Sequence, residues 1–315
     1  MNKEKSSFDQ TAKITTRSKS IFKTIFTYLL VLAFITTIFP MNAFANSPAI
    51  IRNEEAPGKY AGNGPFSYNS YRLPLLSVYG TGGATVYYPT SGTAPYSGLV
   101  YCPPYTAKQS ALAAWGPFFA SHGIILVTFD TLTPLDPVSL RALQQRTVLN
   151  ALKTENSRLN SPLYQKVATD RIGAMGWSMG GGATWINSAE YSGLKTAMTI
   201  AGHNLSSTNL NSKGYNTKCP TLIMNGAMDT TGLGGLGQSN GVYKNIPANV
   251  PKVLYEVASA GHLNWTSPIS ASNDVAAIAL AFQKTYLDGD SRWLAFITRP
   301  NSNVSIWETS NLMNP

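Results

Sequence analysis

The sequence predicts an α/β fold in which a mostly parallel central sheet carries helices on both faces. Three observations point to it. Short apolar or alternating runs take turns along the chain with segments of helical spacing. One run, Gly123-Ile-Ile-Leu-Val-Thr-Phe129, is continuously apolar, as a strand buried on both faces must be. The chain of 315 residues is 43% hydrophobic, with 16 Tyr, 12 Phe and 6 Trp, enough to fill one sizeable core.

The elements follow in order. Residues 46–65 are polar and marked by Gly and Pro, a surface lead-in. Ala84-Thr-Val-Tyr-Tyr88 alternates like a strand and stops at Pro89. Gly98-Leu-Val-Tyr-Cys102 is an apolar run ended by Pro103 and Pro104. Ser110 to Ser121 has helical spacing through Leu112, Trp115, Phe118 and Phe119, and the buried strand at Gly123–Phe129 comes next. Pro137 to Lys153 reads as a helix with Val138, Leu140, Leu143, Leu149 and Leu152 inward. Arg171-Ile-Gly-Ala-Met175 is a short strand, followed by a glycine-flanked turn and a helix through Trp185 and Ile186. Lys195–Ile200, Pro220–Met224 and Lys252–Val257 supply three more strands, and Asp274–Tyr286 a closing helix. No repeat or linker divides this series, so residues 46–315 read as one domain.

Residues 1–45 read as an export signal. A basic leader ends at Lys23, an uncharged stretch runs from Ile25 to Phe39, and Pro40 breaks it. Ala43-Phe44-Ala45 then supplies a small-x-small cleavage site. The competing reading is a retained anchor over Thr24–Ser47, against which Thr36, Thr37, Pro40 and Asn42 count. The chain is therefore expected to be secreted, with periplasmic transit open. Its formal charge is +9, and without the first 45 residues it is +5. That surface is mildly basic, and no Lys/Arg stripe indicates nucleic acid. Cys102 and Cys219 border strands at opposite sheet ends, too far apart to bridge, and read as buried free thiols.

Gly176-Trp-Ser-Met-Gly180 is a G-x-S-x-G pentapeptide placed between a strand and a helix, the context that makes it informative. A serine in so tight a turn adopts strained dihedrals and is lifted above the sheet. The following helix N-terminus presents N–H groups to developing negative charge. Three histidines could serve as its base. His122 lies at the amino side of the buried strand, away from Ser178. His203 follows the strand ending at Ile200 but leaves little room for an acid between it and Ser178. His262, in the loop after the strand ending at Val257, fits the order serine, acid, histidine. Asp229 is the one aspartate between Ser178 and His262 and lies just beyond a strand; Glu190, an acid in the same interval, lies at the nucleophile helix. The expected catalytic residues are Ser178, Asp229 and His262. The Met179 N–H and a donor after Cys102, Tyr105 or Thr106, would form the oxyanion hole. Tyr105 and Trp177 would flank an acyl group.

Pro104-Tyr-Thr-Ala-Lys-Gln-Ser110, Trp115-Gly-Pro117, Ala120-Ser-His-Gly123, Asp130-Thr131, Gln144-Gln145, Gly83-Ala-Thr-Val-Tyr-Tyr-Pro89 and Met175-Gly-Trp-Ser-Met-Gly-Gly-Gly182 together resemble the bacterial cutinase and polyester hydrolase family, poly(ethylene terephthalate) hydrolases included. The resemblance covers nearly all of the chain after the signal. It implies an α/β-hydrolase fold without an evident lid, Ser178, Asp229 and His262 as triad, and Tyr105 and Met179 as oxyanion donors. Trp177 falls where the family has His or Trp. Three departures stand out. Ala201-Gly-His203 replaces a stretch ending in Trp, so His203 takes the place of an indole at the substrate. There it would hold an aromatic diacid less tightly and protonate near its ordinary value of about 6.5. No Cys follows Cys219, so the family's C-terminal disulfide has no counterpart. A Gly-rich insert, Thr231-Gly-Leu-Gly-Gly-Leu-Gly237, follows the acid.

The reading is a secreted serine carboxylic ester hydrolase, a cutinase-like polyesterase working as a monomer on ester or polyester substrates. It would need no cofactor, metal, nucleic acid or obligate protein partner. A small-ester or lipid esterase and an acyl-peptide hydrolase with the same triad remain open, as does a non-catalytic binding module, against which the intact triad counts.

Overall fold

Nine strands among the described residues form a single sheet in the order β1-β2-β4-β3-β5-β6-β7-β8-β9. The computed structural model describes residues 47–204, 210–230 and 236–312, so the export signal, the 1–45 boundary and most of the Gly-rich insert lie outside them. The strands are β1 (Tyr68–Arg72), β2 (Ala84–Pro89), β3 (Tyr96–Cys102), β4 (Ile124–Phe129), β5 (Val167–Trp177), β6 (Ala197–Ile200), β7 (Thr221–Gly226), β8 (Lys252–Val257) and β9 (Val304–Ser310). From β4 through β3 to β8 every pairing is parallel. The edges β1–β2, β2–β4 and β8–β9 are antiparallel. This is the mostly parallel, helix-covered sheet that the alternating runs predict.

The helices divide between the faces. α1 (Trp115–Ser121) and α5 (Asn273–Tyr286) pack with Leu99, Tyr101, Leu126 and Met198 on one side. α2 (Val138–Glu155), α3 (Met179–Glu190) and α4 (Leu236–Asn245) cover the other, over Val100, Val127, Ala174 and Ile223. Successive residues of β3 feed opposite layers, as the pleat requires. Both faces being covered is why these strands read as continuous apolar runs.

Several expectations are corrected. The helix expected over Ser110–Ser121 is split into a 3₁₀ turn, Gln109–Leu112, and α1. β5 is an 11-residue strand that begins before Arg171. β1, β9 and α4 add to the elements expected. In α2, Leu143 points outward and is 55% exposed, while Arg141, Gln144 and Gln145 point inward. They do so because each satisfies buried backbone. Gln145 Nε2, for example, donates to the carbonyls of Val100 (3.2 Å) and Met175 (2.9 Å).

The lead-in is not all surface. Arg52 and Glu55 are buried, and Glu55 takes the Lys284 ammonium at 2.8 Å and bonds the His122 imidazole. His122 caps the end of α1 and also bonds the Gly62 carbonyl, so its role there is packing. Cys102 and Cys219 are free and buried, and burial pushes both thiols up to about 12. No helix among the described residues is long and apolar enough to cross a membrane.

Candidate active site

Five loops leave the carboxyl ends of β3, β5, β6, β7 and β8 and meet at one edge of the sheet, where parallel α/β sheets place their sites. Ser178 sits between β5 and α3 with φ +59° and ψ −122°, a left-handed backbone that costs on the order of 1–3 kcal/mol for a residue with a Cβ. Its neighbours explain how the turn closes. A Cβ on Gly176 would stand 2.0 Å from the Gly180 carbonyl oxygen, and one on Gly180 would stand 2.1 Å from that of Cys102. Only glycine lets the elbow fold against itself and against the end of β3. Ser178 is 2% exposed, its Oγ held at the floor of a cleft.

His262 Nε2 lies 2.9 Å from Ser178 Oγ, and His262 Nδ1 lies 2.7 Å from Asp229 Oδ2. The Asp229 side chain is fully buried and that of His262 largely so. Their loops are tied together, since the Met228 N–H donates to the Ala260 carbonyl at 2.9 Å. Trp177 Nε1 donates to the His262 carbonyl at 3.0 Å, which couples the elbow to the histidine loop. From the far side, Asn303, just before β9, grips the start of that loop. Its Oδ1 accepts from the Ser259 N–H (3.1 Å) and O–H (2.8 Å), and its carbonyl accepts from Ala258 at 3.1 Å.

The cleft beside Ser178 and His262 has a volume of about 280 Å³, with walls from Pro104, Tyr105, Thr106, Ala107, Ala111, Trp177, His203 and Leu263. Of the two donors expected after Cys102, Thr106 gives its N–H to the Pro134 carbonyl at 2.9 Å. The Tyr105 N–H is the other of the two, and the Met179 N–H, the first of α3, is one of that helix's orphan donors. Tyr105 is 40% exposed at the rim. Arg141 is the residue sequence reasoning missed. Its buried guanidinium donates to the carbonyls of Pro103 (3.0 Å), Pro104 (3.3 Å) and Pro134 (2.6 Å), clamping the Tyr105 loop. A lone arginine within a helical pattern carries no signal of this.

His203 is the largest surprise. Expected at the cleft wall and protonating near its ordinary value, it is 2% exposed, and its Nε2 lies 3.0 Å from Ser178 Oγ. Burial first, and the His262 imidazole beside it second, bring its pKa down to about 4. It is therefore neutral at neutral pH. Glu190 ends α3 in ion pairs with Arg146 and Lys213, remote from this chemistry. Among the described residues no group of three or more His, Cys, Asp or Glu side chains could hold a metal ion.

A serine on a strained strand-to-helix elbow of a mostly parallel sheet, with aspartate and histidine contributed by later strands, defines the α/β-hydrolase class. Within it, the chain belongs to the PET hydrolase-like family, which it matches across residues 53–314; by that membership it is a carboxylic ester hydrolase. It is 30% identical over 237 residues to Cutinase 1 of Thermobifida cellulosilytica, covering 75% of this chain and 86% of that one. It is 31% identical over 237 residues to Cutinase est1 of Thermobifida alba, covering 75% and 76%. To the bis(hydroxyethyl) terephthalate hydrolase of Streptomyces coelicolor it is 30% identical over 247 residues, covering 78% and 75%.

Proposed function

We propose that this chain is an exported cutinase-like polyesterase that works through an acyl-enzyme. The observation that carries the reading is the continuous hydrogen-bonded series from Asp229 through His262 to Ser178, opening on a cleft with apolar walls. His262 takes the Ser178 proton as Oγ attacks the ester carbonyl. Asp229 holds the imidazole in the tautomer with Nδ1 protonated and stabilises the imidazolium. The N–H groups of Tyr105 and Met179 receive the oxyanion, while Trp177, Tyr105 and His203 flank the acyl group. His262 then protonates the leaving alcohol, and water, activated by the same imidazole, releases the acid. Residues 1–45 serve as the export signal and 46–315 as the catalytic domain, acting as a monomer without a cofactor.

Ser178→Ala is expected to lower kcat on p-nitrophenyl esters by on the order of 10⁴ to 10⁶ with an unchanged circular dichroism spectrum. Retention of more than about one per cent of activity would overturn the nucleophile assignment. Side-by-side turnover of short p-nitrophenyl esters, triglyceride and polyester film tests the substrate class, and failure on film would leave a small-ester or lipid esterase. Protein recovered outside the cell should begin at Asn46; membrane-bound protein still carrying residues before Lys23 would support an anchor instead.

A further inference from the structure

The loop after β6 brings a second imidazole onto the nucleophile, and its backbone holds it there. Ala201 has φ +44°. The His203 N–H donates to the carbonyl of Ser178 itself at 3.1 Å. A Cβ on Gly182 would stand 2.4 Å from the His203 carbonyl oxygen, so the first turn of α3 is cut back to let this loop in. The ring of His203 lies 5.3 Å from that of His262, and both point an Nε2 at the same oxygen, at 3.0 and 2.9 Å.

A count of protons decides what this contact does. The hydroxyl of Ser178 has one hydrogen. His262 Nδ1 faces a carboxylate, which can only accept, so that nitrogen carries the ring hydrogen and Nε2 is bare. The bare Nε2 takes the Ser178 O–H, and Oγ has no second hydrogen to offer His203. The 3.0 Å contact is attractive only if His203 Nε2 bears a hydrogen and donates it. A neutral ring has one such hydrogen, so Nδ1 of His203 is then a lone pair. That atom is buried with no partner among the described residues, and an orphaned acceptor is better tolerated there than an orphaned N–H.

The geometry points to His203 as a fixed hydrogen-bond donor to Ser178 Oγ that assists the departure of Oγ from the acyl-enzyme, an assignment that rests on Ser178 being the nucleophile. In deacylation, the oxygen of water bonds to the acyl carbon, its proton passes to His262 Nε2, and the carbonyl electron pair moves onto the carbonyl oxygen. When the intermediate collapses, the carbonyl re-forms and the C–Oγ bond breaks. Its electron pair goes to Oγ, which takes the proton back from His262. The hydrogen of His203 stays on nitrogen throughout, and its bond strengthens as Oγ gains negative charge. In acylation the same bond draws on the lone pair that must attack, so the benefit falls on deacylation.

The test resolves the two half-reactions. Stopped-flow release of p-nitrophenol from p-nitrophenyl butyrate reads acylation, and quenched-flow mass spectrometry of the acyl-enzyme reads its decay. His203→Phe keeps a ring and loses the donor. Acylation should stay within about threefold while decay slows about ten- to a hundredfold, the effect of one hydrogen bond to a charged oxygen. His203→Gln, which returns an N–H near the same place, should recover much of the loss. Equal slowing of both steps, or of neither, overturns the assignment. Ring ¹⁵N–¹H NMR of the unmutated protein asks the same without a variant: a hydrogen on His203 Nε2 is expected, and one on Nδ1 refutes it. If Ser178→Ala still forms acyl-enzyme, the triad itself is wrong. If it does not, and the two phases of His203→Phe fall together, only the role of His203 fails.

Discussion

Lowering the pH should expose His203 as a latent source of instability. In the unfolded chain its imidazole titrates at about 6.5, and in the folded protein at about 4, because burial and the neighbouring His262 disfavour the cation. The folded value is depressed, so the contribution to stability is fully present above about pH 6.5 and is lost as the pH falls toward 4. Between those limits the unfolded chain binds a proton that the folded one refuses. The linkage amounts to about 2 kcal/mol at pH 5 and about 3 kcal/mol at pH 4. His203→Phe has no such titration. Urea unfolding of both proteins at several pH values between 7 and 4 measures the difference, with m as a check that the denatured states match. The unmutated protein should lose stability more steeply by those amounts. Parallel curves would show that the imidazole is not held neutral in the fold, and the account of its burial would be wrong.

Three further outcomes follow from particular contacts. Arg141→Met removes the donors to four backbone carbonyls and should destabilise the fold by about 2–4 kcal/mol in urea unfolding while lowering kcat about tenfold, since the Tyr105 loop loses its clamp; unchanged kcat would separate that loop from catalysis. Gly180→Ala drives a methyl group into the Cys102 carbonyl and should abolish ester hydrolysis even where a thermal scan still finds folded protein. Cys102 and Cys219 should resist Ellman's reagent in the native protein and both react after denaturation without reductant; absent labelling would mean a bridge.

The pentapeptide made the elbow legible because its glycines are demanded by contacts as close as 2.0 Å, which no other residue tolerates. Strands buried on both faces were equally plain, since nothing but apolar side chains can fill them. The edges were harder. β1 is largely exposed and β9 only half-buried, so neither shows an apolar alternation that separates a strand from a loop. α2 misled at Leu143 because its inward face uses Arg141 and Gln145 to satisfy loop and strand carbonyls and Gln144 to accept the Leu132 N–H, a duty that periodicity does not encode. The order serine, acid, histidine singled out His262, whose Nδ1 lies 2.7 Å from Asp229 Oδ2. It could not reveal that His203 shares the same oxygen, because that depends on how a short loop folds back over α3.

The grip of Asn303 on the start of the His262 loop makes the segment leading into β9 a remote brace for the chemistry. Where a disulfide would make such a brace independent of length, here it depends on β9 staying zipped to β8. Loss of the segment from Asn303 through β9 would silence the enzyme without touching a residue that meets the ester. The protein's working lifetime among proteases would then be set at β9 rather than at its cleft.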